Sequence, residues 1–118
     1  MRIYAVTLLS HYDEEYCRRH FGRTRTEETR LLAEEGVQAG ADGVILSGDL
    51  CEEAAHLGTL RVLTGSRPEG ADDDRHETPT RPEAIAGLMD VEAVCGGPIM
   101  GTEDPVEALA SMLRSLAK

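Results

Sequence analysis

The chain has no tryptophan, one phenylalanine and three tyrosines, so its core has to be aliphatic, built from Leu, Val, Ile, Ala and Met. Positive charge is scarce as well: Lys and Arg number 12 against 22 Asp and Glu, for a net charge of −10. That balance excludes non-specific attraction to nucleic acid or to an anionic membrane surface. Lysine is almost missing, and the single one is Lys118. Cysteine is sparse: Cys17, Cys51 and Cys95 are odd in number, widely spaced and form no CxxC pair. Neither a zinc site nor a dithiol redox motif is signalled, and a reduced, cytoplasmic setting is expected. No leader pattern or apolar run of membrane length is seen. A nucleophile elbow, HExxH, a P-loop and a GxGxxG after a strand are all lacking, and no cofactor or metal is implied. His11, His20, His56 and His76 are scattered without ligand spacing.

What is present is alternation. "IYAVTLL" (Ile3–Leu9), "DGVILS" (Asp42–Ser47), "LRVLTG" (Leu60–Gly65) and "VEAVC" (Val91–Cys95) are apolar runs of strand length. Continuous runs of this kind suit strands buried on both faces. Between them lie helical patterns. "HYDEEYCRRHFGR" is polar and irregular and reads as a loop with one helical turn. "TEETRLLAEEGVQAG" reads as a helix capped by Thr26, with Leu31, Leu32 and Val37 as a partial stripe and Gly40 at its end. "DLCEEAAHLG" places Leu50, Ala54 and Leu57 on one side of a short helix. "PEAIAGL" begins with a well-placed Pro82, and "SRPEGADDDRHETPTRP" is a long polar loop. The clearest element is the last. Asp104 is a good N-cap, Pro105 suits the first turn and Glu107 completes the start. Leu109, Met112, Leu113 and Leu116 then recur at helical spacing. The order βαβαβαβα predicts one domain over residues 1–118, with a parallel sheet and helices packed outside. An open sheet and half of an eight-stranded barrel fit that order equally well.

The stretch "VCGGPIMGTEDPVEAL" (Val94–Leu109) ends a strand in Gly96-Gly97, where backbone N–H groups can come close to a ligand. No cationic side chain stands at that turn.

Four segments in order resemble the C-terminal half of the orotidine 5′-phosphate decarboxylase family, a (β/α)8 barrel. "AVTLLSHYDEEY" is similar to that family's fifth strand and loop, and "AGADGVILS" to its sixth strand. "LTGSRPEGADDDRHETP" resembles the seventh strand and loop, and "AVCGGPIMGTEDPVEAL" the eighth. The resemblance implies a (βα)4 half-barrel, completed by a second chain carrying the N-terminal half or by a second copy. It implies a lyase of pyrimidine biosynthesis acting on a nucleotide, with no part for nucleic acid or membrane. Ser10 falls on the position that contacts the pyrimidine ring. Gly65, Arg67 and Pro68 match the seventh-strand pattern, and Arg75, Thr78 and Pro79 match the loop after it. Gly96 matches the family's glycine, but Gly97 replaces its phosphate-binding Arg and Asp73 replaces a phosphate-binding Gln. The expected substrate-binding set is therefore Ser10, Gly65, Arg67, Arg75, Gly96 and Gly97. The interleaved Asp-Lys-Asp array of the family's second and third strands has no counterpart, because DxKxxD occurs nowhere. No catalytic residue is assigned. His11 and His76 alone fall on the catalytic side of the strands as in-chain proton donors. Asp42 precedes its strand and so belongs to the opposite end. Two other roles fit the same residues: a non-catalytic binding or assembly module, and a decarboxylase-like subunit for a ligand without phosphate.

Overall fold

The computed structural model describes residues 1–8, 11–65 and 81–117, with the side chains of residues 82 and 83 excepted. Strands β1 (Tyr4–Val6), β2 (Gly43–Ser47), β3 (Leu60–Thr64) and β4 (Val91–Ala93) form one parallel sheet in the order β1-β2-β3-β4. Helices α1 (Glu14–Phe21) and α2 (Arg25–Gln38) join β1 to β2, and a 3-10 helix (Gly48–Leu57) joins β2 to β3. Helix α3 (Pro82–Ile85) precedes β4, and α4 (Gly97–Met100) and α5 (Pro105–Leu116) follow it.

The register decides which residues share a face. Ala5, Val44, Arg61 and Val91 stand in one row, and Leu46, Leu63 and Ala93 in another. These rows carry the core: Val44, Leu46 and Leu63 are fully buried with Ala33 of α2 and Ala54 of the 3-10 helix. Arg61 reaches past Cys51, donating to its carbonyl at 3.1 Å, and to the carbonyl of Met89 at 3.3 Å. Helix α2 lies close against β1: a Cβ on Gly36 would stand 2.7 Å from that of Ala5. The alternate row, Val6, Ile45, Val62 and Glu92, therefore points away from the helices.

Several expectations change. "HYDEEYCRRHFGR" is not a loop with one turn but contains the eight-residue α1. Asp13 caps it by accepting from the Tyr16 N–H at 2.7 Å, and Glu14 and Glu15 complement the N-terminal dipole. Its packing residue is Cys17, so an aliphatic stripe was the wrong thing to look for. Helix α2 is capped by Thr24, not Thr26: the Thr24 hydroxyl accepts from the Glu27 N–H at 3.1 Å and donates to Glu27 Oε1 at 3.2 Å. Its buried face is Glu28, Thr29 and Ala33, while Leu31 and Leu32 are half-buried. The segment after β2 is a 3-10 helix with a kink at Leu50, although Leu50 and Ala54 do face the core. The strands are shorter than their apolar runs, because pairing in β1 and β4 covers three residues each. In α5, Asp104 caps as expected, accepting from the Glu107 N–H at 3.1 Å. Met112 and Leu116 turn inward, but Leu109 and Leu113 are 45% and 56% exposed.

Candidate functional site

Parallel pairing brings the C-terminal ends of all four strands to one edge, where the segments that follow can line a common site. That edge carries Thr7 and Leu8 after β1, Ser47 at the end of β2 with Gly48 and Asp49 after it, Gly65 after β3, and Cys95 to Gly97 after β4. The opposite edge is stitched by Asp42, whose carboxylate accepts from the Ile3 N–H at 2.7 Å and whose carbonyl accepts from Thr59 Oγ1 at 3.1 Å. Asp42 thus serves the stability end, as its place before the strand implied.

Of the expected binding set, Ser10, Arg67 and Arg75 lie outside the described residues, as do Pro68, Asp73, His76, Thr78, Pro79 and Lys118. Gly65, Gly96 and Gly97 are placed. Gly65 closes β3 with φ of 77°, a left-handed conformation that only glycine adopts without strain. Gly96 is different. It caps α4 with φ of −117°, and a Cβ there would meet nothing within 4 Å. Neither conformation nor crowding demands glycine at that position. The Gly96 carbonyl accepts from Ile99 at 3.0 Å and Met100 at 2.9 Å, and the Gly97 carbonyl from Gly101 at 2.8 Å. Ile99, nearly buried, anchors the turn from beneath. The Gly96 and Gly97 N–H groups have no acceptor among the described residues, and both residues are exposed.

A polar cluster that the sequence reading missed lies beside the end of β2. Ser47, 2% exposed, donates to Asp49 Oδ1 at 2.5 Å. Arg25 grips the Asp49 carboxylate with both terminal nitrogens, at 2.9 and 3.4 Å, and donates from Nε to the Tyr12 carbonyl at 3.0 Å. The hydrogen bonds that Arg25 donates to Asp49 hold its guanidinium more firmly protonated, against a smaller opposing effect of burial. This clamp ties the β1–α1 connection and the start of α2 to the exit of β2. Its only signal in the sequence was Ser-x-Asp at a strand end.

The described histidines, His11, His20 and His56, have separate neighbours. His11 meets the ring of Tyr12 edge-on at 4.6 Å, His20 lies over Tyr16 at 4.2 Å, and His56 Nε2 is 3.2 Å from Glu34. No group of three His, Cys, Asp or Glu that could hold a metal occurs among the described residues. Burial pushes the thiols of Cys17, Cys51 and Cys95 up, which keeps them from being nucleophilic thiolates. An open cavity of about 350 Å³ lies between the 3-10 helix and α3, lined by Asp49, Cys51, Glu52, Arg81 and Ile85. Gly96 and Gly97 do not line it. Among the described residues no helix is long and apolar enough to cross a membrane.

A parallel sheet of four strands with helices on one face, matching half of a solved barrel, defines a (βα)4 half-barrel. In sequence and in fold the chain matches the C-terminal half of the orotidine 5′-phosphate decarboxylase family. It is 34% identical over 119 residues to the orotidine 5′-phosphate decarboxylase of Staphylococcus haemolyticus, covering 97% of this chain and 52% of that protein. It is 37% identical over 95 residues to the enzyme of the same name from Shewanella sediminis, covering 77% and 40%. The crystal structure of orotidine 5′-phosphate decarboxylase from Lactobacillus acidophilus superposes with a TM-score of 0.69 at 25% identity, over 99% of this chain and 50% of that one. The chain spans about half the length of the curated relatives it matches. No family model matches it.

Proposed function

We propose that this chain is one half of an orotidine 5′-phosphate decarboxylase-like lyase, supplying the pyrimidine- and phosphate-side loops. The other half, on a second chain, supplies the Asp-Lys-Asp array. The observation that carries the reading is the near end-to-end match to half of a decarboxylase by a chain whose only lysine is Lys118. In this reaction the bond between C6 and the carboxylate breaks, carbon dioxide leaves, and the electron pair left on C6 takes a proton. The proton has to come from a cation that gives it up near neutral pH. Arg does not qualify, because its pKa lies above about 12, and no motif supports His11 or His76 in that role, so this reading assigns the donor to the other half.

Ser10 meets the imide edge of the pyrimidine, since a hydroxyl both donates and accepts. The backbone N–H groups of Gly96 and Gly97, with Gly65, Arg67 and Arg75, form the phosphate side. Gly97 in place of Arg removes a charge-assisted contact worth about 1.5–3 kcal/mol, roughly one to two orders of magnitude in affinity. By the resemblance, Asp73 puts a carboxylate where the family has a phosphate-binding Gln. These two residues favour a second reading: the same half-enzyme acting on a ligand without phosphate.

Two measurements test the proposal. Highly purified chain should not turn over orotidine 5′-phosphate. A rate well above background that disappears in His11→Ala or His76→Ala would place the chemistry in this chain and overturn the two-chain reading. Calorimetry of the Gly97→Arg/Asp73→Gln double variant should show tighter binding of a pyrimidine nucleoside monophosphate. No gain would mean that the ligand or its pose is not the family's.

A further inference from the structure

Resting on the half-barrel reading above, we infer that Glu92 selects the chain that closes the barrel. The fitting partner is a different half-barrel that presents an Arg or Lys to the middle row of the interior, and a second copy of this chain does not qualify. Glu92 is the central residue of β4 and stands in register with Val62, which stands beside Ile45, which stands beside Val6. The flanking rows hold the helix-side core, so this middle row faces what becomes the barrel interior on closure. Three of its four members are apolar, and Val62 is only 6% exposed. Glu92 itself is exposed, and no cation is paired with it among the described residues. The only cation on any described strand is Arg61, which lies on the helix side with its guanidinium bonded to Cys51 and Met89.

The two sheet edges, β1 and β4, are the surfaces that closure must pair. Two copies closing about a twofold axis would set β4 of each beside β1 of the other. The shared interior would then hold two Glu92 carboxylates in a middle row that is otherwise Val6, Ile45 and Val62. A buried carboxylate with no cation is strongly unfavourable, and one that meets a well-placed cation is not. A partner with Arg or Lys at this level removes the penalty; a self-copy doubles it.

The test uses the whole chain as its own partner with one charge reversed. Wild type, Glu92→Lys, Glu92→Val and an equimolar mixture of wild type with Glu92→Lys are followed by sedimentation velocity and native mass spectrometry. Circular dichroism confirms that each variant is folded. The mixture should give a two-chain species that exceeds either homodimer by about tenfold over the statistical share. The Val variant should dimerise about tenfold more tightly than wild type, because it removes the charge without supplying a cation. A statistical distribution in the mixture, no mixed dimer at all, or a Val variant that dimerises no more tightly than wild type overturns the inference. Turnover is not read in this experiment. A failed decarboxylase reading therefore leaves the pairing rule standing, and a failed pairing rule leaves the decarboxylase reading standing.

Discussion

Helices α2 and α5 make opposite use of their apolar residues. Helix α2 has a ragged pattern, and yet Thr29 and Ala33 are wholly buried and Gly36 sits almost against β1. Helix α5 has the cleaner pattern, and yet only Met112 is fully buried, while Val106, Leu109 and Leu113 are 79%, 45% and 56% exposed. Helix α2 packs on β1, β2 and the 3-10 helix, whereas α5 packs chiefly on α3 and α4, with Leu116 reaching the core. An apolar stripe shows that a helix is meant to be covered; it does not say by what. In α5 much of that stripe is left exposed by the described residues.

The sharpest way to break this comparison is truncation on each side. Leu63→Ala, in the core that α2 helps to cover, should cost about 2–5 kcal/mol in chemical denaturation of the chain alone. Leu113→Ala in α5 should change stability by less than about 0.5 kcal/mol. Equal losses would mean that α5 is already covered. Next in size is Gly36→Ala. Its Cβ would meet that of Ala5 at 2.7 Å, so a loss of about 1–3 kcal/mol is expected despite alanine's better helix propensity. A gain would show that α2 stands farther from β1.

Capping separates local from tertiary effects. Thr24→Ala and Asp104→Ala should each cost about 1 kcal/mol, because a cap satisfies its own helix whatever that helix packs against. Markedly unequal losses in thermal melts would mean that α5 is not cooperative with the rest of the chain. A change of opposite sign is expected at Thr29. Its hydroxyl is buried and unpaired among the described residues, so Thr29→Val should leave stability unchanged or raise it by up to about 1 kcal/mol.

The smallest effect is a dependence on pH. Burial raises the Cys17 thiol above its unfolded value, so the folded chain keeps a proton that the unfolded chain releases. The stabilising contribution is complete below the ordinary thiol pKa of about 8.5 and is lost as pH rises toward the folded value. Cys17→Ala should flatten the alkaline slope of the unfolding free energy. An unchanged slope would assign it to Cys51, whose thiol burial also raises, or to other groups.

Much of the fold was legible because strands of a parallel sheet are mainly apolar at their centres, as "DGVILS" and "LRVLT" are. Helix α5 was legible from its cap and period. Helix α1 was not, because its stability rests on Asp13, on charges matched to the dipole and on the single buried Cys17. The strand-end edge was legible in part: Gly65 follows β3, and Gly96 and Gly97 follow β4. The clamp of Arg25, Asp49 and Ser47 was not, because Arg25 and Asp49 stand 24 positions apart.

The sequence by itself determined the alternation of elements, the aliphatic core, the caps of α5 and the lack of any lysine but Lys118. Each of these follows from composition or from spacing within a few residues. Only the tertiary structure decided which row of the sheet faces the helices, that Gly96 is free of steric need, and that Glu92 shares a row with Val6, Ile45 and Val62. The reason is register. A shift of one residue between paired strands turns every side chain to the other face, and no stretch of sequence read alone fixes that shift.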